Sequence, residues 1–197
     1  MSASNQQITS DYELVKLARN GDGTAFDQLV GRHQNLIHNL LRRLGVPTQD
    51  AEDLLQETFI KAWRSLQRFN YEAAFSTWLY SIALNEWRSF RRKNNRRRLL
   101  PFPTGKGSGT DEVGPQLEPP DLAPGPAQIT HDRMLMERIE KLMEDMHPAL
   151  REAMVLRDIQ ELDYLEISRI IGSPIGTVKS RINRARSFLA KRLEKDE

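Results

Sequence analysis

The sequence predicts an all-α fold made of two small helical domains joined by a flexible Gly/Pro-rich linker, the second being a helix-turn-helix domain. Apolar residues recur at helical spacing on both sides of residues 101–130, and no stretch alternates as a half-buried strand does. Residues 101–130 hold 7 of the 10 prolines and 5 of the 11 glycines, which indicates a tether. We place the first domain at residues 1–98, the linker at 99–130 and the second domain at 131–197.

Four helices are predicted in the first domain. Ser10 and Glu13 have the spacing of a capping box, and Asn20-Gly21 provides the stop for a short first helix. Apolar residues at intervals of three and four favour helices packed on a shared core. The three further helices are expected from Thr24 to a stop at Gly45, from about Asp50 to Leu66 and from about Ser76 to Arg92.

The second domain is predicted to hold four more helices, of which the last two form a helix-turn-helix. Gly172 supplies the turn, Ser173 is a candidate N-cap, and Pro174 stands where a helix start tolerates proline. The predicted ranges are Ile129 to Met146, Pro148 to about Gln160, Asp163 to Ile171, and Pro174 to about Leu193.

Charge is distributed unevenly along the chain. The net charge is only +2, yet residues 87–98 carry seven basic side chains and residues 174–192 carry six, with no acidic side chain in either block. Concentrated positive charge of this kind is typical of surfaces that bind phosphate groups. The two blocks therefore indicate nucleic acid as a partner.

Composition argues against several classes of function. The chain has no cysteine, which excludes disulfides, thiolate zinc sites and cysteine nucleophiles. Its four histidines lack metal-ligand spacing, and there is no glycine-rich phosphate loop. We therefore expect no enzyme, catalytic residue, metal, cofactor or small-molecule substrate. The N-terminus lacks the features of a signal peptide, so we expect a cytoplasmic protein without direct membrane insertion.

The last predicted helix carries the strongest DNA-binding signal. Val178, Ile182, Ala185 and Leu189 recur on one side and are expected to face the core. The other side presents groups suited to phosphates and to base edges in a major groove: Thr177, Lys179, Ser180, Arg181 and Arg184. The alternative is a solvated basic helix in a three-helix bundle, but the turn chemistry and the single sign of charge favour DNA.

The fourth helix shows a second candidate stripe, in which an aromatic, a hydroxyl, an amide and two arginines align: Trp78, Ser81, Asn85, Arg88 and Arg92. Such groups suit unstacked bases and their phosphates. The preceding loop, residues 69–76, adds aromatic and small side chains suited to holding a base out of the duplex. Trp78 and Trp87 serve equally well as core residues, so both interpretations stay open.

The third helix is acidic and amphipathic. Its apolar stripe runs from Ala51 to Leu66 and includes Trp63. Its first turns are crowded with acidic and amide side chains: Asp50, Glu52, Asp53, Gln56 and Glu57. The helix dipole stabilises acids near a helix N-terminus, which is a purely structural reason for them. A docking face for a basic partner helix is the equal alternative.

Three segments together resemble one protein family. They are DAEDLLQETFIKAW (residues 50–63), FSTWLYSIALNEWRSFRR (residues 75–92) and IGTVKSRINRARSFL (residues 175–189). They are similar to bacterial sigma factors of the extracytoplasmic-function (ECF) group, and the resemblance covers about residues 11–98 and 131–193. It implies that the first domain corresponds to sigma region 2, the second to region 4, and the chain to a promoter-specificity subunit of RNA polymerase.

The resemblance also implies a role for each surface. The third helix matches the segment that binds the β′ coiled coil of core polymerase, with candidates Asp50, Glu52, Asp53, Gln56 and Glu57. The loop and fourth helix match the part that melts the −10 element, with candidates Asn70, Trp78, Tyr80, Ser81, Asn85, Arg88, Arg91 and Arg92. The last helix matches the reader of the −35 element, with candidates Thr177, Lys179, Ser180, Arg181 and Arg184.

The implied partners are bacterial core RNA polymerase with its β′ and β subunits, promoter DNA, and an anti-sigma factor, which in this family is often membrane-linked. In the holoenzyme the chain is then expected at the nucleoid. A stand-alone repressor or activator that uses residues 174–193 is the alternative. Such a regulator has no need of the acidic third helix or of the stripe on the fourth, so these two features favour the sigma factor.

Overall fold

A computed structural model of the protein describes residues 9–99, 138–139 and 141–194, and within these ranges every regular element is helical. The predicted all-α fold class is therefore confirmed. The greater part of the predicted linker, and the first part of the helix predicted from Ile129, lie outside the described residues.

The N-terminal half contains four α-helices and one short 3₁₀ turn. They are α1 (Asp11–Arg19), α2 (Gly23–Arg43), α3 (Thr48–Ser65), the turn Leu66–Arg68 and α4 (Phe75–Leu99). The predicted capping box of α1 is present: Ser10 Oγ accepts from the Glu13 amide at 3.3 Å, and Glu13 Oε2 accepts from the Ser10 amide at 2.9 Å. This reciprocal pair satisfies two amides that the helix itself leaves without partners.

Helix α2 begins earlier than the sequence predicts. Its N-cap is Asp22, whose Oδ1 accepts from the amides of Thr24 at 2.9 Å and Ala25 at 3.2 Å. The prediction placed the start at Thr24, but the carboxylate two residues before it satisfies the first free amides of the helix and so fixes its start. Gly45, with φ of 79°, ends the turn after α2.

The core of this half is formed where α2, α3 and α4 pack together. Its fully buried side chains include Leu29, Ile37, Leu40, Leu41, Leu44, Leu79, Leu84 and Trp87. Trp87 Nε1 donates to the Leu44 carbonyl oxygen at 3.1 Å. Of the two roles left open for Trp87, the structure therefore supports the core role.

The C-terminal half starts with helical residues at 138–139 and 141–144, followed by α5 (Pro148–Met154), α6 (Tyr164–Ile171) and α7 (Ile175–Leu193). One helix was predicted from Pro148 to about Gln160. The chain instead widens into a π turn at Val155–Ile159, closed by a hydrogen bond of 3.0 Å from the Gln160 amide to the Val155 carbonyl. This wider turn leads into Glu161, which has a φ of 56° and turns the chain toward α6.

Helices α6 and α7 form the predicted helix-turn-helix. Gly172 is left-handed, with φ of 70°, as the turn requires. Ser173 is not the N-cap of α7, because that position is held by Pro174 and no side-chain cap bond is made. The Ser173 carbonyl instead accepts from Ser168 Oγ at 2.6 Å, which ties the turn to α6.

The two halves contact each other directly, although they are far apart in sequence. Helix α4 packs against α6. Arg151 Nη1 in α5 donates to the Leu44 carbonyl at 2.9 Å, and Tyr80 Oη in α4 donates to Gln160 Oε1 at 2.7 Å. The candidate DNA-binding helices α4 and α7 are thereby held within one closed arrangement.

Candidate polymerase and nucleic-acid interface

The outer face of α3 presents the predicted acidic surface. Glu52, Asp53, Gln56 and Glu57 are exposed, and Asp50 is half-buried. The opposite face is buried through Ala51, Leu54, Thr58, Phe59 and Ala62. The structure therefore brings the five predicted polymerase-binding residues together on one helix and leaves their functional groups available to a partner.

Two apolar side chains extend this outer face beyond what was predicted. Ile60 is 43% exposed and Trp63 is 42% exposed. They follow Gln56 by four and seven residues, so they continue its stripe along the helix. The sequence analysis placed Trp63 in the apolar stripe, and its ring does lie 4.9 Å from that of Phe26. The spacing from Gln56 was the available signal that Ile60 and Trp63 border the acidic surface.

The loop before α4 is held in a defined shape. The Phe69 carbonyl accepts from Arg19 Nη1 at 3.3 Å, and Asn70 Oδ1 accepts from the Glu72 amide at 3.2 Å. Tyr71 adopts a φ of 60°, and its ring packs against those of Tyr12 at 4.8 Å and Phe69 at 4.9 Å. A fixed loop of this kind presents Asn70 to solvent without further ordering.

The predicted stripe on α4 is continuous. Trp78 is half-buried between the rings of Phe69 at 5.2 Å and Phe75 at 5.6 Å. Ser81 Oγ donates to the Trp78 carbonyl at 2.6 Å. Further along, exposed Asn85 accepts through Oδ1 from Arg88 Nη1 at 3.4 Å. Trp78 is therefore supported by core aromatics and still reaches the surface that carries Asn85.

A groove of about 450 Å³ lies beside Asn85, between α3 and α4. Its walls include Arg64, Arg68 and Lys61, and Lys61 Nζ pairs with Glu86 Oε2 at 2.6 Å. The sequence analysis did not single out these cations, because they lie at the end of α3, whose beginning is acidic, and in the turn that follows it. The fold brings them next to the stripe on α4.

Tyr80 is buried, with 3% of its surface exposed, and its hydroxyl group donates to Gln160. Burial raises the pKa of the Tyr80 phenol, and the negative charge of Glu166 raises it further. The phenol therefore keeps its proton and remains a hydrogen-bond donor at neutral pH. In the closed arrangement Tyr80 faces the second half of the chain, whereas Asn85 faces solvent.

The three arginines predicted on α4 have different surroundings. Arg92 is exposed and donates to Ser89 Oγ at 2.9 Å. The Arg91 guanidinium lies 5.2 Å from the centre of the Trp87 ring, and burial lowers the pKa of Arg91, with Glu152 partly opposing the shift. Arg88 is half-buried and donates to Glu152 Oε2 at 2.9 Å.

The predicted face of α7 is mostly open. Thr177, Lys179, Ser180 and Arg184 are exposed, while Val178, Ile182 and Ala185 are buried on the other side. Lys179 Nζ lies 5.3 Å from the centre of the Tyr164 ring, which supports the side chain from α6. Arg181 is the exception among the five candidates, because its Nη1 lies 3.7 Å from Glu152 Oε1.

Sequence reasoning missed Arg151 and Glu152, adjacent charged residues of α5 that are 5% and 4% exposed. Burial lowers the pKa of Arg151 to about 10, and its Nε has no hydrogen-bond partner among the described residues. Both residues look like ordinary surface charges in the sequence. Their burial depends on how the two halves meet, and no local pattern could have indicated it.

The described part of the chain contains no group of three or more His, Cys, Asp or Glu side chains arranged to hold a metal ion. Within the same ranges, no helix combines the length and the apolar character needed to cross a membrane.

Comparison with known proteins finds two protein families along the chain. The sigma-70 region 2 family matches residues 29–97, and the sigma-70 region 4 family matches residues 136–189. The ECF RNA polymerase sigma-E factor of Haemophilus influenzae is 36% identical over 190 residues, which cover 96% of this chain and 97% of the relative.

Two solved structures are similar in fold. CnrH in complex with the cytosolic domain of CnrY has a TM-score of 0.68 and 26% identity, and the match covers 95% of this chain and 99% of CnrH. The sigma factor RpoE of Bartonella quintana, in complex with the anti-sigma factor NepR, has a TM-score of 0.63 and 26% identity, with 87% and 98% covered.

A chain with sigma-70 region 2 followed by region 4 is a sigma factor of the sigma-70 type. Because its relatives match over nearly their whole length, the chain belongs to the ECF group of that family. Its function is promoter-specific initiation of transcription, and it is not an enzyme. The function implied by the three sequence segments is thereby confirmed.

Proposed function

We propose that this sigma factor binds bacterial core RNA polymerase, through its β′ and β subunits, and promoter DNA with three separate surfaces. The outer face of α3 binds β′, the loop before α4 and the stripe on α4 bind the opened −10 element, and α7 reads the −35 duplex. The two functional domains are then residues 1–98, which bind polymerase and the −10 element, and residues 131–197, which bind the −35 element. The observation that carries this proposal is the exposed acidic face of α3, in a chain whose other two candidate surfaces are basic.

The composition of the α3 face supports docking to a basic helical partner. Asp53 and Glu57 are exposed on the same face of α3. Exposed Ile60 lies beside them on the helix surface, and exposed Trp63 follows it one turn later. Protein interfaces commonly combine an apolar centre with a charged rim, and the centre contributes most of the binding energy. Ile60 and Trp63 supply the apolar contact, and the acids select a basic partner.

The −10 surface combines a base platform with phosphate contacts. Trp78 offers a partly exposed aromatic ring that is supported by Phe69, and Asn85 offers an amide that hydrogen-bonds to base edges. Arg64 and Arg68 line the groove beside Asn85 and suit the phosphates of a displaced strand. Opening a duplex costs a few kcal/mol for each unstacked step, about the amount that such contacts return.

The −35 surface needs only to read intact duplex. Lys179 and Arg184 stand in the first half and the middle of α7, where a recognition helix meets base edges. Thr177 and Ser180 add hydroxyl groups for phosphates.

An anti-sigma factor is the proposed regulator. The two structurally similar proteins, CnrH and RpoE, were each solved with another protein bound, and NepR is an anti-sigma factor by name. A protein that covers α3 or the junction between the halves prevents polymerase binding. We place the chain in the cytoplasm, at the nucleoid when it is bound to polymerase and at the membrane where its anti-sigma factor is anchored there.

Run-off transcription tests the proposed function. The chain is mixed with purified bacterial core polymerase on a library of DNA fragments from the source genome, and the transcripts are sequenced. We expect transcripts from a small set of fragments that share two elements, and loss of open complexes with Asn85→Ala. The control is Asn35→Ala on the exposed surface of α2. Absence of any transcript beyond those made by core polymerase alone would contradict the proposal.

A further inference from the structure

The junction between the two halves contains a buried carboxylate held by two arginines from different helices. Arg88 in α4 approaches Glu152 Oε2 through Nε and Nη2, each at 2.9 Å. Arg181 in α7 approaches Glu152 Oε1 through Nη1 at 3.7 Å. The Glu152 side chain is 5% exposed, whereas those of Arg88 and Arg181 are 29% and 27% exposed. One carboxylate therefore joins the candidate −10 surface to the candidate −35 surface.

We propose that Glu152 is an intramolecular latch, which keeps the free sigma factor closed by holding Arg88 of the −10 surface across the junction, while it also lies next to Arg181 of the −35 surface in its own half. This inference rests on the proposed function, because it uses the assignment of Arg88 to the −10 surface and of Arg181 to the −35 surface. Glu152 itself contacts neither polymerase nor DNA. Its role is regulatory.

The chemistry makes latch and DNA mutually exclusive. A guanidinium group binds a carboxylate and a phosphate in the same way, with two parallel N–H donors. While Nε and Nη2 of Arg88 both point at Glu152, they are not available to a phosphate. Phosphates that capture the two arginines leave Glu152 without its counter-charges, and a buried unpaired carboxylate is strongly unfavourable. DNA binding therefore favours separation of the halves, and closure weakens DNA binding.

Two further contacts close the same junction. Tyr80, another −10 candidate, donates to Gln160 and is buried by the contact of α4 with α6. Arg151, next to Glu152, donates to the Leu44 carbonyl. The ion pairs are thus part of a continuous interface, and Glu152 is the member that connects all three of α4, α5 and α7.

Distance measurement in the full chain tests the latch. The chain has no cysteine, so Gln34→Cys and Ala190→Cys, both at exposed positions, introduce the only two spin-label sites. Pulsed electron resonance then reports the distance between α2 and α7. We expect one narrow distance distribution for the parent, and a broad distribution at longer distances once Glu152→Gln is added. A narrow distribution that Glu152→Gln leaves unchanged would overturn the latch.

The matched control is Glu194→Gln, which removes the same charge from an exposed residue of the C-terminal half. This control variant should leave the distance distribution narrow. If it broadened the distribution as much as Glu152→Gln does, the opening would not be specific to Glu152 and the latch would be overturned. Circular dichroism checks that each variant stays helical.

Raising KCl from about 50 mM to about 1 M in the parent provides a test without the mutation, because salt weakens ion pairs whose arginines are partly exposed. The same long distances should appear, and their absence would count against the latch.

A DNA-binding experiment distinguishes failure of the latch from failure of the proposed function. The probe is a fluorescent 30-base-pair duplex of arbitrary sequence, titrated with the free chain at several salt concentrations. Each freed arginine that reaches a phosphate steepens the slope of log K against log salt by about 0.9. We expect Glu152→Gln to steepen the slope by about 1 relative to Glu194→Gln, because Arg88 is the arginine whose N–H donors Glu152 occupies. Opening with no change in slope would overturn the masking of DNA contacts and the assignment of Arg88, while run-off transcription still tests the sigma function independently.

Discussion

The indole nitrogen of Trp87 donates a hydrogen bond of 3.1 Å to the carbonyl oxygen of Leu44, and both side chains are fully buried. Leu44 directly follows α2 and Trp87 lies in the middle of α4, so this bond ties the end of α2 to the helix that carries the candidate −10 surface. The same carbonyl accepts from Arg151 Nη1 at 2.9 Å. One backbone oxygen therefore joins the core of the first half to the second half.

Trp87→Phe should destabilise the chain. It removes one buried hydrogen bond and part of a buried aromatic surface, a loss of about 1–3 kcal/mol in the free energy of unfolding. Urea unfolding followed by circular dichroism measures it. The matched control is Trp63→Phe, whose ring is 42% exposed and which should cost less than about 1 kcal/mol. Equal losses for the two variants would show that burial of Trp87 is not what stabilises the core.

Asp22→Ala should lower the free energy of unfolding at neutral pH and have a smaller effect on it in acid. Hydrogen bonds from Thr24 and Ala25 lower the pKa of Asp22. A carboxylate whose pKa is lower in the folded state stabilises that state above the pKa of the unfolded chain, and the contribution is lost as the pH falls through the folded value. We expect a lower urea midpoint at pH 7 and a smaller difference from the parent near pH 3. A difference that grew in acid would contradict the cap.

Ile60→Ala should weaken polymerase binding without destabilising the fold. Ile60 is 43% exposed on the outer face of α3, so truncation changes the free energy of unfolding by less than about 0.5 kcal/mol. A residue at the apolar centre of an interface contributes more, and we expect a loss of about 1–2 kcal/mol in binding to core polymerase. Fluorescence titration with labelled chain measures the affinity, and an unchanged affinity would place Ile60 outside the interface.

Arg184→Ala should weaken −35 binding by about 1–3 kcal/mol and relax sequence preference at one position, provided that the side chain contacts a base edge. Arg184 is exposed on the face that carries Lys179. Binding of the holoenzyme to a set of single-base promoter variants measures both quantities. A uniform loss of affinity for every sequence, with a shallower salt dependence, would identify a phosphate contact instead.

The helices and the helix-turn-helix were predictable because their signals are local. The Ser10–Glu13 capping box and the turn at Gly172 depend on neighbours within a few residues. The exposed acids of α3 follow from helical spacing in the same way. Asp22 was overlooked as a cap only because Thr24, two residues later, also has capping chemistry.

The closed junction was not predictable, since its partners are far apart in the chain. Tyr80 and Gln160 are separated by 80 residues, and Arg88 and Glu152 by 64. In the sequence, Arg88 belongs to a basic stripe and Glu152 is one acid among many. Their pairing depends on the packing of α4 against the second half, which periodicity and composition do not encode.

Co-elution with bacterial core RNA polymerase on size exclusion tests most directly whether α3 is the docking surface. The purified chain is compared with Asp53→Lys/Glu57→Lys, and with Glu161→Lys/Glu194→Lys as a control of equal charge change at exposed acids of the second half. We expect the parent and the control to elute with polymerase and the α3 variant to elute alone, still helical. Co-elution of the α3 variant in the same amount as the parent would contradict the assignment of this face to polymerase.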